Sequence, residues 1–352
     1  MKKWILLSLM GIFVGGQAQA LTEIEISGEA DFNGIVHLLP TAQQGETQFR
    51  VPSLLLNFGV PLKDDNLLYV SFEGAEKKTD TSESFMVSTR EAYLDLVSIF
   101  EGAHALRFGV VPLAWLEAQY QDVNYRFLGE TAWGITEKWK YESYSDLGIA
   151  FRSEMPMDMG EWALSVVNGE GRTQDSAGPH KEGALFLRFQ AWESAIISLN
   201  YIHGTYEQYG DDVAAKERIQ ANFLYKPEDS VTKFGIELLD THDPADAITD
   251  GKMADGVDVT AFAGQAIHGF GGSAFVIFGT GPKAEIMLRY DYLNAAVGEE
   301  GKDMQTGIAS IAYQVSPDVK TAFAVDRTWY AETYGKGIRD ASKVEFAAQV
   351  LF

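Results

Sequence analysis

Basic and acidic residues recur at every second position inside otherwise apolar stretches of this chain, as expected of a sheet with one face toward water. The bases so placed are Arg107, Arg152, Arg188, Arg218, Lys233, Arg289 and Lys320, and the acids are Glu73, Glu91, Asp95, Glu237, Asp291 and Glu345. Charges of both signs around a wet lumen set up a transverse field that suits passage of polar solutes. Salt-bridged pairs bracing a wall are the alternative use of the same residues. Catalysis has less to build on: the six histidines (His37, His104, His180, His203, His242, His268) are scattered, and no nucleophile motif stands beside any of them. Asp240-Thr241-His242-Asp243, with Asp246, Asp250 and Asp255, could attract calcium. These residues lack the spacing of an EF-hand loop and read as a solvated acidic loop. No enzyme activity, metal or cofactor is expected.

The elements that carry these charges are strands. Leu106, Phe108 and Val110 share one face against Arg107 and Gly109; Ile219, Ala221, Phe223 and Tyr225 oppose Arg218, Gln220 and Asn222. Phe234, Ile236 and Leu238 oppose Lys233, Gly235 and Glu237, and Leu288, Tyr290 and Tyr292 oppose Arg289 and Asp291. One face suits lipid and the other carries formal charge. Such runs, mostly about ten residues long, number sixteen between Thr22 and Phe352, with Phe49 to Val60 taken as one strand and Val257 to Gly269 left open between strand and loop. Their connections alternate in kind. Pro61 to Asp65, the Gly102 turn, Met155 to Asp158, Ala191 to Ser194, Lys226 to Asp229, Gly281 to Lys283 and Ser316 to Asp318 are short, the ones between them are long, and both termini fall on the short side. That sorting predicts an all-β fold, a transmembrane antiparallel β-barrel of about 16 strands.

Both chain ends agree with export to a membrane. Lys2 and Lys3, an apolar run from Trp4 to Gly16 and Ala18-Gln19-Ala20 read as a secretory signal over residues 1–20, leaving 21–352 as a single barrel domain. No later stretch has the 18 or so apolar residues of a spanning helix. The last strand alternates Val344, Phe346, Ala348 and Val350 with Glu345, Ala347 and Gln349, and stops on Phe352. Removing Lys2 and Lys3 takes the net charge from −22 to −24, which disfavours nucleic acid as a partner. There is no cysteine for staples or thiolate metal sites.

Pro112 to Ser143 concentrates Trp115, Tyr120, Tyr125, Phe127, Trp133, Trp139 and Tyr141 with Arg126, Lys138 and Lys140. In an external loop so many aromatics would be an exposed apolar liability. Folding the loop into the barrel buries them and makes Trp115, Tyr120, Arg126 and Lys138 the candidate constriction; packing on the rim or on a neighbouring subunit is the other way to cover them.

Arg90-Glu91-Ala92-Tyr93-Leu94, Leu106-Arg107-Phe108-Gly109, Ser145 to Arg152, Trp162-Ala163-Leu164 to Asn168-Gly169-Glu170-Gly171, and Met287 to Tyr292 together resemble, in that order, the phosphate-selective porin O and P family. The resemblance implies a sixteen-stranded, trimeric outer-membrane porin whose third loop folds inward, with Arg107 and Arg152 compatible with part of that family's arginine ladder. The abundant inward acids depart from its pattern. The expected function is a water-filled channel for passive diffusion of small polar or charged solutes with weak ion selectivity; a receptor, adhesion or closed structural barrel is the alternative. The implied partners are outer-membrane lipid and lipopolysaccharide, sister subunits of a homotrimer, small solutes or ions, and the barrel-assembly machinery, whose recognition signal the terminal Phe352 resembles.

Overall fold

The structure is a computed structural model that describes residues 24–39, 44–78, 83–97, 99, 104–129, 132–169, 171–172, 181–205, 215–228, 230–244, 266–332, 334 and 340–352. The export signal, Asp246, Asp250, Asp255 and the stretch 257–265 lie outside them. The first strands are β1 (Glu25–Leu39), β2 (Thr47–Arg50), β3 (Leu54–Pro61), β4 (Leu67–Lys78), β5 (Glu83–Leu96) and β6 (His104–Pro112). After a helical segment come β7 (Ser145–Glu154), β8 (Gly160–Val167), β9 (Glu182–Trp192), β10 (Ala195–Thr205), β11 (Ala215–Tyr225) and β12 (Lys233–Asp243). The chain finishes with β13 (Ile267–Gly279), β14 (Ala284–Asn294), β15 (Asp303–Ser316), β16 (Val319–Tyr330) and β17 (Ala341–Leu351).

All seventeen strands form one antiparallel sheet, and β17 pairs back onto β1 from Glu29↔Leu351 to Leu39↔Ser342, so the sheet closes. Closure matters physically because an open edge leaves backbone donors and acceptors that lipid cannot satisfy. Phe352 extends the seam: its N–H donates to Gly28 O at 3.0 Å and its carbonyl accepts from Gly28 N at 2.7 Å.

The expected single strand Phe49 to Val60 is broken. β2 pairs with Asn33–Val36 of β1 and β3 with Glu25–Ala30, and residues 51–53 between them, including Pro52 with no N–H to give a ladder, bow out of register. Counted as one interrupted strand they give a sixteen-stranded barrel. β13 begins at Ile267, so the end of the stretch left open above is strand.

Outside, Phe108, Ile219, Ile311, Phe323 and Phe346 are each more than half exposed, whereas Asp31, Gln220, Asp291, Thr306 and Glu345 on the other face are at most 1% exposed. An apolar band of this extent suits lipid contact. One close approach in the wall needs glycine. Gly109 has φ +133°, and a Cβ there would lie 2.2 Å from Ala92 O on β5. Gly109→Ala should cost about 1–3 kcal/mol, read as an earlier urea midpoint in detergent. Gly281→Ala, at an open tight turn with nothing within 4 Å, should leave the midpoint unchanged.

Candidate functional site: the barrel interior and residues 113–144

The connection from β6 to β7 is not a plain loop. It contains α1 (Ala114–Val123), a 3-10 turn (Arg126–Leu128) and α2 (Ile135–Lys138). Glu117 in the first turn of α1 suits the positive end of that helix. Asn124 ends the helix in the left-handed region, with its N–H donating to Tyr120 O. The apolar residues of this segment are buried against the inner face of the wall in three clusters. Trp115 and Leu116 meet Ala163 and Phe186; Tyr125, Phe127 and Leu128 meet Ile277, Met287 and Ile308; Ile135, Trp139 and Tyr141 meet Leu239, Leu293 and Met304. Gly271 makes room for this packing, since a Cβ there would come within 2.6 Å of the Trp139 ring. The inner face is therefore charged only in part: where the segment lies on it, it is apolar.

Between these clusters the charges of wall and segment answer one another. Arg107 Nε lies 3.0 Å from Asp95 and its guanidinium 3.5 Å from Glu117 of α1, which also takes Arg152. Arg188 holds Asp122 bidentately, both contacts at 2.9 Å, and Lys233 donates to the carbonyls of Asp122 and Val123 at 2.5 and 3.3 Å. These carbonyls end α1, where a cation is favoured. Wall acids take cations of the segment in the same way. Glu73 takes Arg126 at 3.3 Å, and Asp291 takes Lys138 at 2.7 Å and Arg289 at 2.7 Å. Arg289 also donates to the carbonyls of Ala132 and Trp133 at 2.9 and 2.8 Å. Lys320 pairs with Glu285, which accepts from Tyr125 Oη at 2.7 Å. Arg218 meets Asp243 at 2.7 Å and stacks on Tyr141, and Glu237 is buried beside Gln119.

The anticipated bases and acids thus gather around the segment, and two groups that periodicity left out join them. A register shift between Ser71 and Phe72 leaves Arg90 unpaired in the ladder, so that it is buried together with its neighbour Glu91. Its guanidinium lies 3.9 Å from the Tyr144 ring centroid, and Arg126 lies 4.7 and 4.6 Å from those of Tyr120 and Trp133. Arg172, from the next long connection, reaches Glu73. Small voids, of about 10 and 30 Å³, lie where the segment meets β7–β11 and β11–β14. A larger one of about 430 Å³ separates Gly129 and Trp133 from the wall around β1, β2, β4, β16 and β17. Among the described residues no group of His, Asp and Glu is placed to hold a metal ion.

No protein-family model matches the chain, and no curated protein matches it either. Solved structures do. The anion-selective porin from Comamonas acidovorans superposes with a TM-score of 0.66 over 94% of this chain and 99% of its own, at 11% identity. The fold is the porin fold. OmpF of Salmonella typhi gives 0.64 over 93% and 97% at 10% identity, and the outer-membrane channel DcaP of Acinetobacter baumannii gives 0.62 over 96% and 100% at 12% identity. On this porin fold, the resemblance to the phosphate-selective O and P family narrows to the architecture.

Burial raises the Glu137 carboxyl to about 8 against the pull of Arg90 and Arg172, and raises Glu142 to about 8 with Glu182 adding to the effect. Both acids hold a proton in the folded state that the unfolded chain releases near the ordinary carboxylate value of 4.5. Their contribution is therefore complete below that pH and is lost as pH rises through about 8. The urea midpoint should fall between pH 6 and 9, and Glu137→Gln should flatten part of that slope. An equally steep slope in the variant would contradict the assignment.

Proposed function

We propose that this chain is a Gram-negative outer-membrane porin, exported on the signal of residues 1–20 and forming a water-filled channel for passive diffusion of small polar or charged solutes. The observation that carries the reading is a closed barrel, apolar outside, with charged side chains on its other face and residues 113–144 packed against that face. That segment is the constriction, with Trp115, Tyr120, Arg126 and Lys138 among its residues. Selectivity is weak, because each constriction cation has a carboxylate partner and the anion preference of a free arginine ladder is cancelled locally. At about 4 Å and an effective dielectric near 20 a charge pair interacts by roughly 4 kcal/mol, whereas acidic outer loops beyond a Debye length of about 8 Å are screened.

Partners follow from the outer surface. Lipid and lipopolysaccharide contact the apolar band. An open external groove lined by Gly235, Ala274, Gly307 and Ala309, between Phe234, Leu288, Tyr290 and Trp329, could seat a sister subunit of a homotrimer; the trimer form of OmpT of Vibrio cholerae, similar in fold, offers a precedent. Phe352 serves the barrel-assembly machinery more than fold stability, since it adds two backbone hydrogen bonds to a long seam.

Two outcomes test this reading. In planar bilayers under a salt gradient, Arg107→Ala and Arg152→Ala should each shift the reversal potential toward cations and Glu117→Gln toward anions; unchanged potentials in all three would remove these residues from the ion path. Deleting Phe352 should leave refolding in detergent nearly intact while lowering the amount inserted in cells, and equal insertion would refute the assembly role.

A further inference from the structure

Three of the nine methionines, Met155, Met157 and Met159, stand at alternate positions of one short turn, between β7 and β8. Methionine ordinarily goes to a core, as Met287 and Met304 do at 1% and 6% exposure. Met157 is instead 84% exposed and Met159 45% exposed, with Met155 half-buried beside them. Apolar residues scattered singly over a surface need no explanation, but three within five residues do. Met157 and the next residue, Asp158, have φ of +60° and +55°, in the left-handed region where glycine or asparagine is the ordinary occupant. The backbone closes around them. Met155 N–H donates to Gly160 O at 2.7 Å across the 3-10 turn Pro156–Asp158, which brings the two ends of the methionine run beside each other. Met159 O accepts from Gln190 N at 2.8 Å, so the turn is tied to β9.

A thioether carries no charge and is a weak hydrogen-bond acceptor, so it offers little to water, to an anion or to a hard cation such as calcium. It is a soft metal ligand, and soft ligands select cuprous copper. With no cysteine in the chain, thioethers are the sulfur ligands it has. Each methionine is unbranched with three rotatable bonds, which lets side chains fixed on one closed turn swing onto a single ion. Glu154, Asp158 and Glu161 lie in and beside the turn, and Arg188 lies 3.9 Å from Glu161. That balance draws cations and repels anions.

From this arrangement we infer that Met155, Met157 and Met159 form a binding site for a soft monovalent metal ion of the cuprous class, at the end of the barrel where both chain termini lie. The site stands outside the barrel interior and does not rest on the channel reading. The full-length protein, labelled with carbon-13 at its methionine methyl groups and held in detergent, is titrated in chloride-free buffer with silver nitrate, silver(I) being a redox-silent soft monovalent ion. The methyl resonances of Met155, Met157 and Met159 should shift together and saturate, while those of buried Met287 and Met304 stay in place. Met157→Gly suits the left-handed backbone; it should leave the urea midpoint unchanged or higher and abolish the saturable shift at Met155 and Met159. Replacing Met155 and Met159 together by Leu keeps the apolar surface and removes two sulfurs, and should abolish the shift at Met157.

Met86, a lone exposed methionine on β5, is the internal control. If it shifts with the same midpoint, binding belongs to any exposed thioether and the site is overturned. Zinc nitrate producing the same shifts would assign the binding to the acids and overturn it as well. So would silver that leaves the three signals still, or that binds either variant as tightly as the parent protein. Should Met157→Gly not refold, the double Leu variant decides alone.

Discussion

The interior depends on one constraint: a charge taken out of water must be met by an opposite charge on the element packed against it. Desolvation costs several kcal/mol per ion, and removing one member of a buried pair typically costs about 3–5 kcal/mol. Here the pairs cross between two independent pieces of chain. Wall cations Arg107, Arg152, Arg188 and Lys233 meet the acids and the carbonyl end of α1, and wall acids Glu73 and Asp291 meet Arg126 and Lys138. Each pair fixes one point of the segment against one strand of the wall, so sliding the segment along the wall would separate them. Apolar packing of Phe127, Ile135 and Trp139 supplies attraction without direction; the pairs supply the register.

The pairing is local and several-sided: Glu117 takes both Arg107 and Arg152, Asp122 takes Arg188, and Asp291 takes Lys138 and Arg289.

Much of the wall was legible in the sequence, because a period of two is a local property that survives tertiary context. Arg218, Gln220 and Asn222 against Ile219, Ala221 and Phe223 is an example that the structure keeps. The break at residues 51–53 and the inward turn of Arg90 were not legible. Both arise from register between neighbouring strands, which no single strand encodes. The aromatic segment announced that it needed cover. Its partners did not announce themselves, since Glu117 and Asp122 look like solvated helix charges until Arg152 and Arg188 are placed opposite them. Ile277 and Met287 on the inner face interrupt the polar pattern for the same reason: what they pack on is some 150 residues away in the chain.

In the proposed channel, residues 113–144 are clamped across the lumen and set its width. Single-channel conductance of the full-length protein, compared with a variant lacking residues 117–138 in the same bilayer and salt, tests it most directly. A clamped segment gives a small steady conductance that rises severalfold on deletion. Equal conductance in the two proteins would contradict it.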